Sequence, residues 1–140
     1  MGKNEPKPDF TKHLVKRLFL ASIQHALKGI KIGLVKELNM KIHLVATIIV
    51  IGAGFILKIS TTEWMILVLC IGFVFSAELL NTAVELIADF ISPAQHPDIG
   101  KIKDIAAGAV LIAAIVSVIV GILIFWPYLK MYFTISVYTE

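Results

Sequence analysis

The chain has 140 residues, 58% of them hydrophobic and only 16% charged, with a formal net charge of +3. So little charge at this length argues against an ordinary soluble domain and points to a membrane-resident chain with a few spans. The single cysteine, Cys70, lies in an apolar run, excludes an intramolecular disulfide and reads as a small buried hydrophobe.

Residues 1–11, polar and carrying Pro6 and Pro8, are expected to form a flexible N-terminal tail ahead of a single domain over 12–130. No secretory leader is expected, because the first strongly apolar run begins near Leu44, behind a long charged segment. From about 12 to 36 the periodicity is helical. Val15, Phe19, Ile23, Ala26, Ile30 and Leu34 share one face, while Arg17, Gln24, Lys28 and Lys31 share another. That pattern fits an amphipathic helix lying on the cytoplasmic leaflet. The alternative is a helix packed on the chain's own spans, and one helix can do both.

Three apolar runs follow, predicting spans over about 42–59, 64–91 and 104–128, with 131–140 as a C-terminal tail. A span needs about 20 apolar residues. The third run has them without a charge, the first must borrow from its flanks, and the second reaches the length only if its polar residues enter the membrane. Small residues at Ala107, Ala114 and Gly121 recur on one stripe of the third, a packing pattern. The predicted class is therefore an all-α integral membrane protein with three transmembrane helices and an N-terminal amphipathic surface helix.

Orientation follows from Lys and Arg. Lys3, Lys7, Lys12, Lys16, Arg17, Lys28, Lys31, Lys36 and Lys41 precede the first span, and Lys101 and Lys103 lie between the second and third. Only Lys58 and Lys130 fall on the other side. The positive-inside rule gives a multi-pass protein with its N-terminus in the cytoplasm, a cytoplasmic loop between the second and third spans and its C-terminus outside. Trp64 and the "FWPY" run at Phe125 to Tyr128 suit the external interface. The net charge is this asymmetry and not a nucleic-acid footprint, so no nucleic-acid partner is expected.

The second span carries "SAELLNTAVELIAD" from Ser76 to Asp89. Glu78, Asn81, Glu85 and Asp89, at i, i+3, i+7 and i+11, fall within an arc of about 80° on one helix face. Structural hydrogen bonding between helices calls for one or two uncharged polar groups, and three carboxylates exceed that. Acids inside a membrane are functional candidates by default. Carboxylates with an amide are oxygen ligands suited to Mg²⁺. His96, Lys101, Lys103 and Asp104 in the following loop, and Glu37, Asn39, Lys41 and His43 before the first span, lie on the same side. Acids and lysines at an inner interface suit phosphoryl transfer from ATP, in which positioning and charge neutralisation carry most of the catalysis. No P-loop or Rossmann glycine pattern is present to hold the phosphates. Taken singly, His43 and His96 read as ordinary interface residues.

The run "E-x-x-N-T-A-x-E-x-x-x-D" at Glu78 to Asp89, followed by "G-K-x-K-D-x-A-A-G-A-V-L" from Gly100, resembles the prokaryotic diacylglycerol kinase family over about Ser22 to Phe125. The resemblance implies an ATP-dependent kinase that phosphorylates a membrane lipid alcohol at the cytoplasmic interface of the bilayer. It also implies a homotrimer with sites shared between protomers. Glu78 matches the catalytic base, and Glu37 and Glu85 the Mg²⁺ ligands. Asn81, His96, Lys103 and Asp104 match nucleotide positions, His25 stands at a further nucleotide position where the family often has an aromatic residue, and Lys28, Asn39, Lys41 and Glu78 are assigned to the lipid substrate. "KELNMKIH" is similar to the E-x-N-x-R-I-H pattern of the branch that phosphorylates undecaprenol, with Lys41 in place of the arginine, which tilts the choice between undecaprenol and diacylglycerol toward the polyprenol. Two other classes compete with a kinase: a proton- or ion-conducting subunit using Glu78 and Glu85 as a relay, and a small regulatory membrane protein. Lys103 and Asp104 favour the kinase, since a conductor needs neither.

Overall fold

The computed structural model describes residues 10–92 and 96–138, with side chains described from Leu14 to Met131. The described residues form four helices and no strand: α1 (Phe10–Lys36), α2 (Leu38–Leu57), α3 (Thr61–Ile91) and α4 (Pro97–Tyr138). All four are long and apolar enough to cross a membrane by length and composition, including α1, which the sequence places on a surface. The N-terminal tail, apart from its last two residues, lies outside the described residues.

The chain divides at Ile32 and Gly33 into two units. In the first, α1 exposes nearly every described side chain, Val15, Phe19 and Ile23 on its apolar face as well as Lys28 and Lys31 on its polar one. The Ser22 hydroxyl bonds back to the Leu18 carbonyl at 3.0 Å, the usual way a mid-helix serine satisfies itself.

The second unit holds the last turn of α1 and all of α2, α3 and α4. A single extended residue, Glu37 (φ −96°, ψ 127°), separates α1 from α2 and makes no side-chain cap. At the far end α2 stops at Lys58, which takes the left-handed conformation (φ 53°), while Ile59 donates to the Gly54 carbonyl at 3.2 Å. Ser60 then opens α3 with a reciprocal capping box: its hydroxyl accepts from the Glu63 amide, and the Glu63 carboxylate accepts from the Ser60 amide at 2.7 Å. Gly54 is required here, because a Cβ would stand 2.8 Å from the rigid indole of Trp64.

α3 and α4 run antiparallel, as three contacts along their length record. Lys103 meets Asp89, Ser117 Oγ lies 3.5 Å from the Cys70 carbonyl, and Tyr128 Oη lies 2.7 Å from Glu63. The core sits toward the Glu63 end, where Ile59, Leu67 and Ile124 are buried among Trp64, Ile71 and Phe125. Apolar faces of α2, α3 and α4 remain open, with Ile56, Leu69, Phe90 and Ile105 exposed by 75%, 72%, 89% and 75% respectively. Exposure on this scale exceeds what a soluble monomer carries and calls for an apolar surrounding.

Two helix boundaries differ from the sequence reading. α4 begins at Pro97, seven residues before the expected start of the third span, because proline is well suited to a first helical position and Asp98 stands in the first turn. It also runs through Pro127 into the expected C-terminal tail and ends at Tyr138. One missing amide bond does not end a helix whose flanks are continuously apolar.

Candidate active site

The helical spacing places Glu78, Asn81, Glu85 and Asp89 on one face of α3, and that face is graded. Glu78 and Asn81 are buried, Glu85 is half-buried and Asp89 is exposed near the helix end. Glu78 is the extreme case, with 1% of its surface exposed. Its neighbour Thr82, also buried, satisfies its own hydroxyl on the Glu78 carbonyl at 3.0 Å and so asks nothing of the carboxylate.

The polar partners are few. Asn81 Nδ2 donates to Glu85 Oε1 at 2.8 Å, which fixes the amide and leaves Asn81 Oδ1 pointing elsewhere. Asn81 Oδ1 and Glu78 Oε1 are both buried with no hydrogen-bond partner among the described residues. Buried polar atoms are satisfied in the great majority of cases, so two orphans one turn apart mark a place built for something more than packing. His43 Nε2 of α2 lies 3.2 Å from Glu78 Oε1, off the line of a hydrogen bond. Glu37 and Glu85 stand near enough for their charges to act on Glu78.

The other residues expected from the sequence are spread over α1, α2 and α4. Glu37 sits at the α1–α2 break, half-buried, 3.9 Å from Lys36 Nζ and free of any capping duty. Asn39 and Lys41 are exposed on the first turn of α2. Lys103 reaches across from α4 to Asp89, and Asp104 beside it is exposed. His96 is exposed at the start of α4, its Nδ1 accepting from the Asp98 amide at 3.2 Å, while Lys101 pairs with Asp98 at 2.9 Å. His25 and Lys28 belong to the first unit and are exposed on α1. The structure thus gathers Glu37, Glu78, Asn81 and Glu85, and pairs Lys103 with Asp89.

Sequence reasoning put His43 on the same side as Glu78 but read it as an ordinary interface residue, and it gave Thr82 no role. Thr82 is in the quoted motif, and its i+4 spacing from Glu78 was the available signal. His43 sits in "KELNMKIH", but its contact with Glu78 is made between helices, which spacing along one helix cannot reveal.

Gly33 closes this end of the unit, since a Cβ there would come within 2.9 Å of Leu79 Cδ2 and 3.1 Å of Met40 Cε. Met40 is itself fully buried. Below His43 an apolar groove of about 420 Å³ runs between α2, α3 and α4, past Val74, Cys70 and Ser117 to Trp126 and Leu129.

Magnesium is usually held by one or two carboxylates, with substrate phosphates and water completing its octahedron. Among the described residues no cluster of three or more His, Cys, Asp or Glu side chains forms a cage. Glu37, with no cap to serve, and Glu85, held by Asn81, are carboxylates of the type that such an ion takes.

A family model described as prokaryotic diacylglycerol kinase matches residues 24–125. Undecaprenol kinase of Bacillus subtilis (strain 168) is 45% identical over 109 residues, covering 78% of this chain and 89% of the relative. Diacylglycerol kinase of Synechocystis sp. is 38% identical over 103 residues, 73% of this chain and 59% of the relative. Diacylglycerol kinase of Escherichia coli (strain K12) is 29% identical over 101 residues, 72% of this chain and 83% of the relative.

Proposed function

The chain belongs to the prokaryotic diacylglycerol kinase family, and from that premise we propose that it is a lipid kinase transferring the γ-phosphoryl group of ATP to a membrane lipid alcohol. The observation that carries this reading is Glu78, a carboxylate sealed in an apolar helix bundle with an oxygen that accepts no hydrogen bond, beside His43, which lines a groove suited to a lipid chain. A membrane alcohol presents its hydroxyl at the end of an apolar chain, so its base must stand where the groove meets polar groups.

In the proposed reaction Glu78 takes the hydroxyl proton as the lipid oxygen bonds to the γ-phosphorus and the phosphorus–oxygen bond to ADP breaks. Asn81 holds Glu85, and Glu37 and Glu85 would hold Mg²⁺, which when bound neutralises phosphate charge. Lys103, released from Asp89, is placed to meet phosphate, with Asp104, His96 and His25 as further nucleotide contacts. Lys28, Asn39 and Lys41 serve the lipid headgroup side.

The acceptor we favour is undecaprenol over diacylglycerol. Support comes from the greater identity to the Bacillus subtilis relative and from the "KELNMKIH" segment, whose histidine stands beside Glu78. Three of the helices, α2, α3 and α4, span the bacterial inner membrane in this reading, with α1 on the cytoplasmic surface, the N-terminus inside and the C-terminus outside. The domain of 12–130 assembles as a homotrimer, which the open apolar faces would serve together with lipid.

The test is ATP consumption by the purified protein in detergent micelles with undecaprenol and diacylglycerol assayed side by side. Lipid-dependent turnover and a phosphorylated lipid product are expected, faster with undecaprenol. Absence of a phosphorylated product with either alcohol sinks the kinase reading, and a preference for diacylglycerol reverses the choice of acceptor. Orientation has its own check: a cysteine at Asp98 should label only from the cytoplasmic side, and labelling from outside intact cells overturns it.

A further inference from the structure

His43 has no part in the reaction as proposed above, yet it stands against the buried oxygen of the base. Its Nε2 lies 3.2 Å from Glu78 Oε1, its side chain is 23% exposed against 1% for Glu78, and the groove begins at it. The other charged groups acting on Glu78 are Glu37 and Glu85, which are acids and cannot stabilise a carboxylate. His43 is therefore the one cationic or N–H-bearing side chain among the described residues recorded as acting on it. A carboxylate buried without a donor is costly and rotates over a broad range about its last torsion. A donor on one oxygen corrects both faults.

We propose that His43 is a positioning residue for the base: its Nε2–H, after a small turn of the imidazole, holds Glu78 Oε1 and aims the second carboxylate oxygen at the lipid hydroxyl. This rests on the lipid-kinase reading above. The proton taken from the hydroxyl goes to that second oxygen, and His43 keeps its own proton throughout. Fixing the acceptor in a near-attack position is worth rate and not nucleotide affinity, since His43 stands in the groove and not among the groups proposed to meet ATP.

The experiment compares His43→Leu and His43→Met, which fill the space without a donor, with His43→Gln, which restores one. Glu78→Gln and the double variant His43→Leu/Glu78→Gln complete the set, all measured as kcat and ATP KM in micelles containing undecaprenol. Loss of a donor to a charged group should lower kcat about 10- to 100-fold in the Leu and Met variants, with ATP KM unchanged. His43→Gln should recover most of that loss. The double variant should be no slower than Glu78→Gln alone, because a residue that acts through another contributes nothing once its partner is gone. If His43→Leu does not assemble, His43→Met and His43→Gln make the same comparison. Full turnover in the donorless variants, equal losses in Gln and Met, or losses that multiply in the double variant overturns the inference alone. Glu78→Gln with wild-type turnover removes the base, and this inference with it.

Discussion

Glu63 and Glu78 stand on the same helix, fifteen residues and about 22 Å of rise apart, and the chain treats them in opposite ways. Glu63 Oε2 accepts three hydrogen bonds at 2.7 Å, from the Ser60 amide, the Ser60 hydroxyl and Tyr128 Oη. Those bonds cap α3 and tie it to α4 beside the apolar core of Ile59, Leu67 and Ile124. Glu78 is more deeply buried, and its Oε1 accepts no hydrogen bond among the described residues, with His43 Nε2 3.2 Å away but off line. A carboxylate with every need met is structure. One that is buried and left wanting is a place where a substrate or an ion completes the arrangement.

The sharpest way to break that contrast is to neutralise each acid in turn. Glu78→Gln keeps shape and removes the proton acceptor, so kcat should fall by about 10²–10⁴, the usual contribution of a general base. ATP and Mg²⁺ binding should stay close to wild type, and thermal stability should hold or rise because a buried acid has gone. Glu63→Gln should do the reverse, lowering thermal stability while turnover persists. Near-normal turnover in Glu78→Gln would make the two glutamates alike, and would leave Asp89 or proton transfer to the phosphate itself as the next candidates.

A second step sharpens the active end. Glu37→Gln and Glu85→Gln each exchange a hard anionic ligand for an amide, and each should raise the Mg²⁺ needed for half-activity about tenfold or more while assembly is unaffected. An unchanged Mg²⁺ titration in both variants removes them from the metal site. The lysines of α4 give a smaller, graded test. Lys101 is occupied by exposed Asp98, whereas Lys103 crosses to Asp89 on the face that carries Glu78. Lys103→Ala should therefore raise ATP KM or lower kcat severalfold more than Lys101→Ala. Equal effects mean that this end acts only through its overall positive charge.

The contrast was half legible in the sequence. Four polar residues at helical spacing in an apolar run sufficed to mark the face of Glu78, because a regular helix converts spacing directly into direction. The runs around α2 and α3 were equally legible from hydropathy. Contacts between helices were not, since hydropathy says that a face is buried and not against what. His43 beside Glu78 and Tyr128 on Glu63 both belong to that class. Tyr128 read as an interface aromatic, and its hydroxyl bond to a residue 65 positions earlier has no local signature. Helix ends were not legible for a different reason: hydropathy marks the stretch from about 104 to 128 that can cross a membrane, and α4 extends past it at both ends, from Pro97 to Tyr138.

The smallest expected effect lies at the structural end. Tyr128→Phe keeps the ring against the core and removes one donor from Glu63, leaving the two bonds from Ser60 in place. The capping box is thus intact and only the tie from α3 to α4 is cut. Because Glu63 is only partly covered, water can replace the lost hydroxyl, and the loss should be smaller than that of Glu63→Gln, which weakens the cap as well. Thermal inactivation in micelles should therefore rank wild type above Tyr128→Phe and Tyr128→Phe above Glu63→Gln, with kcat near wild type in both. If Tyr128→Phe instead lost turnover as Glu78→Gln does while its stability held, the far end of the groove would be part of the reaction, and the division of α3 into a structural and a reactive glutamate would fall.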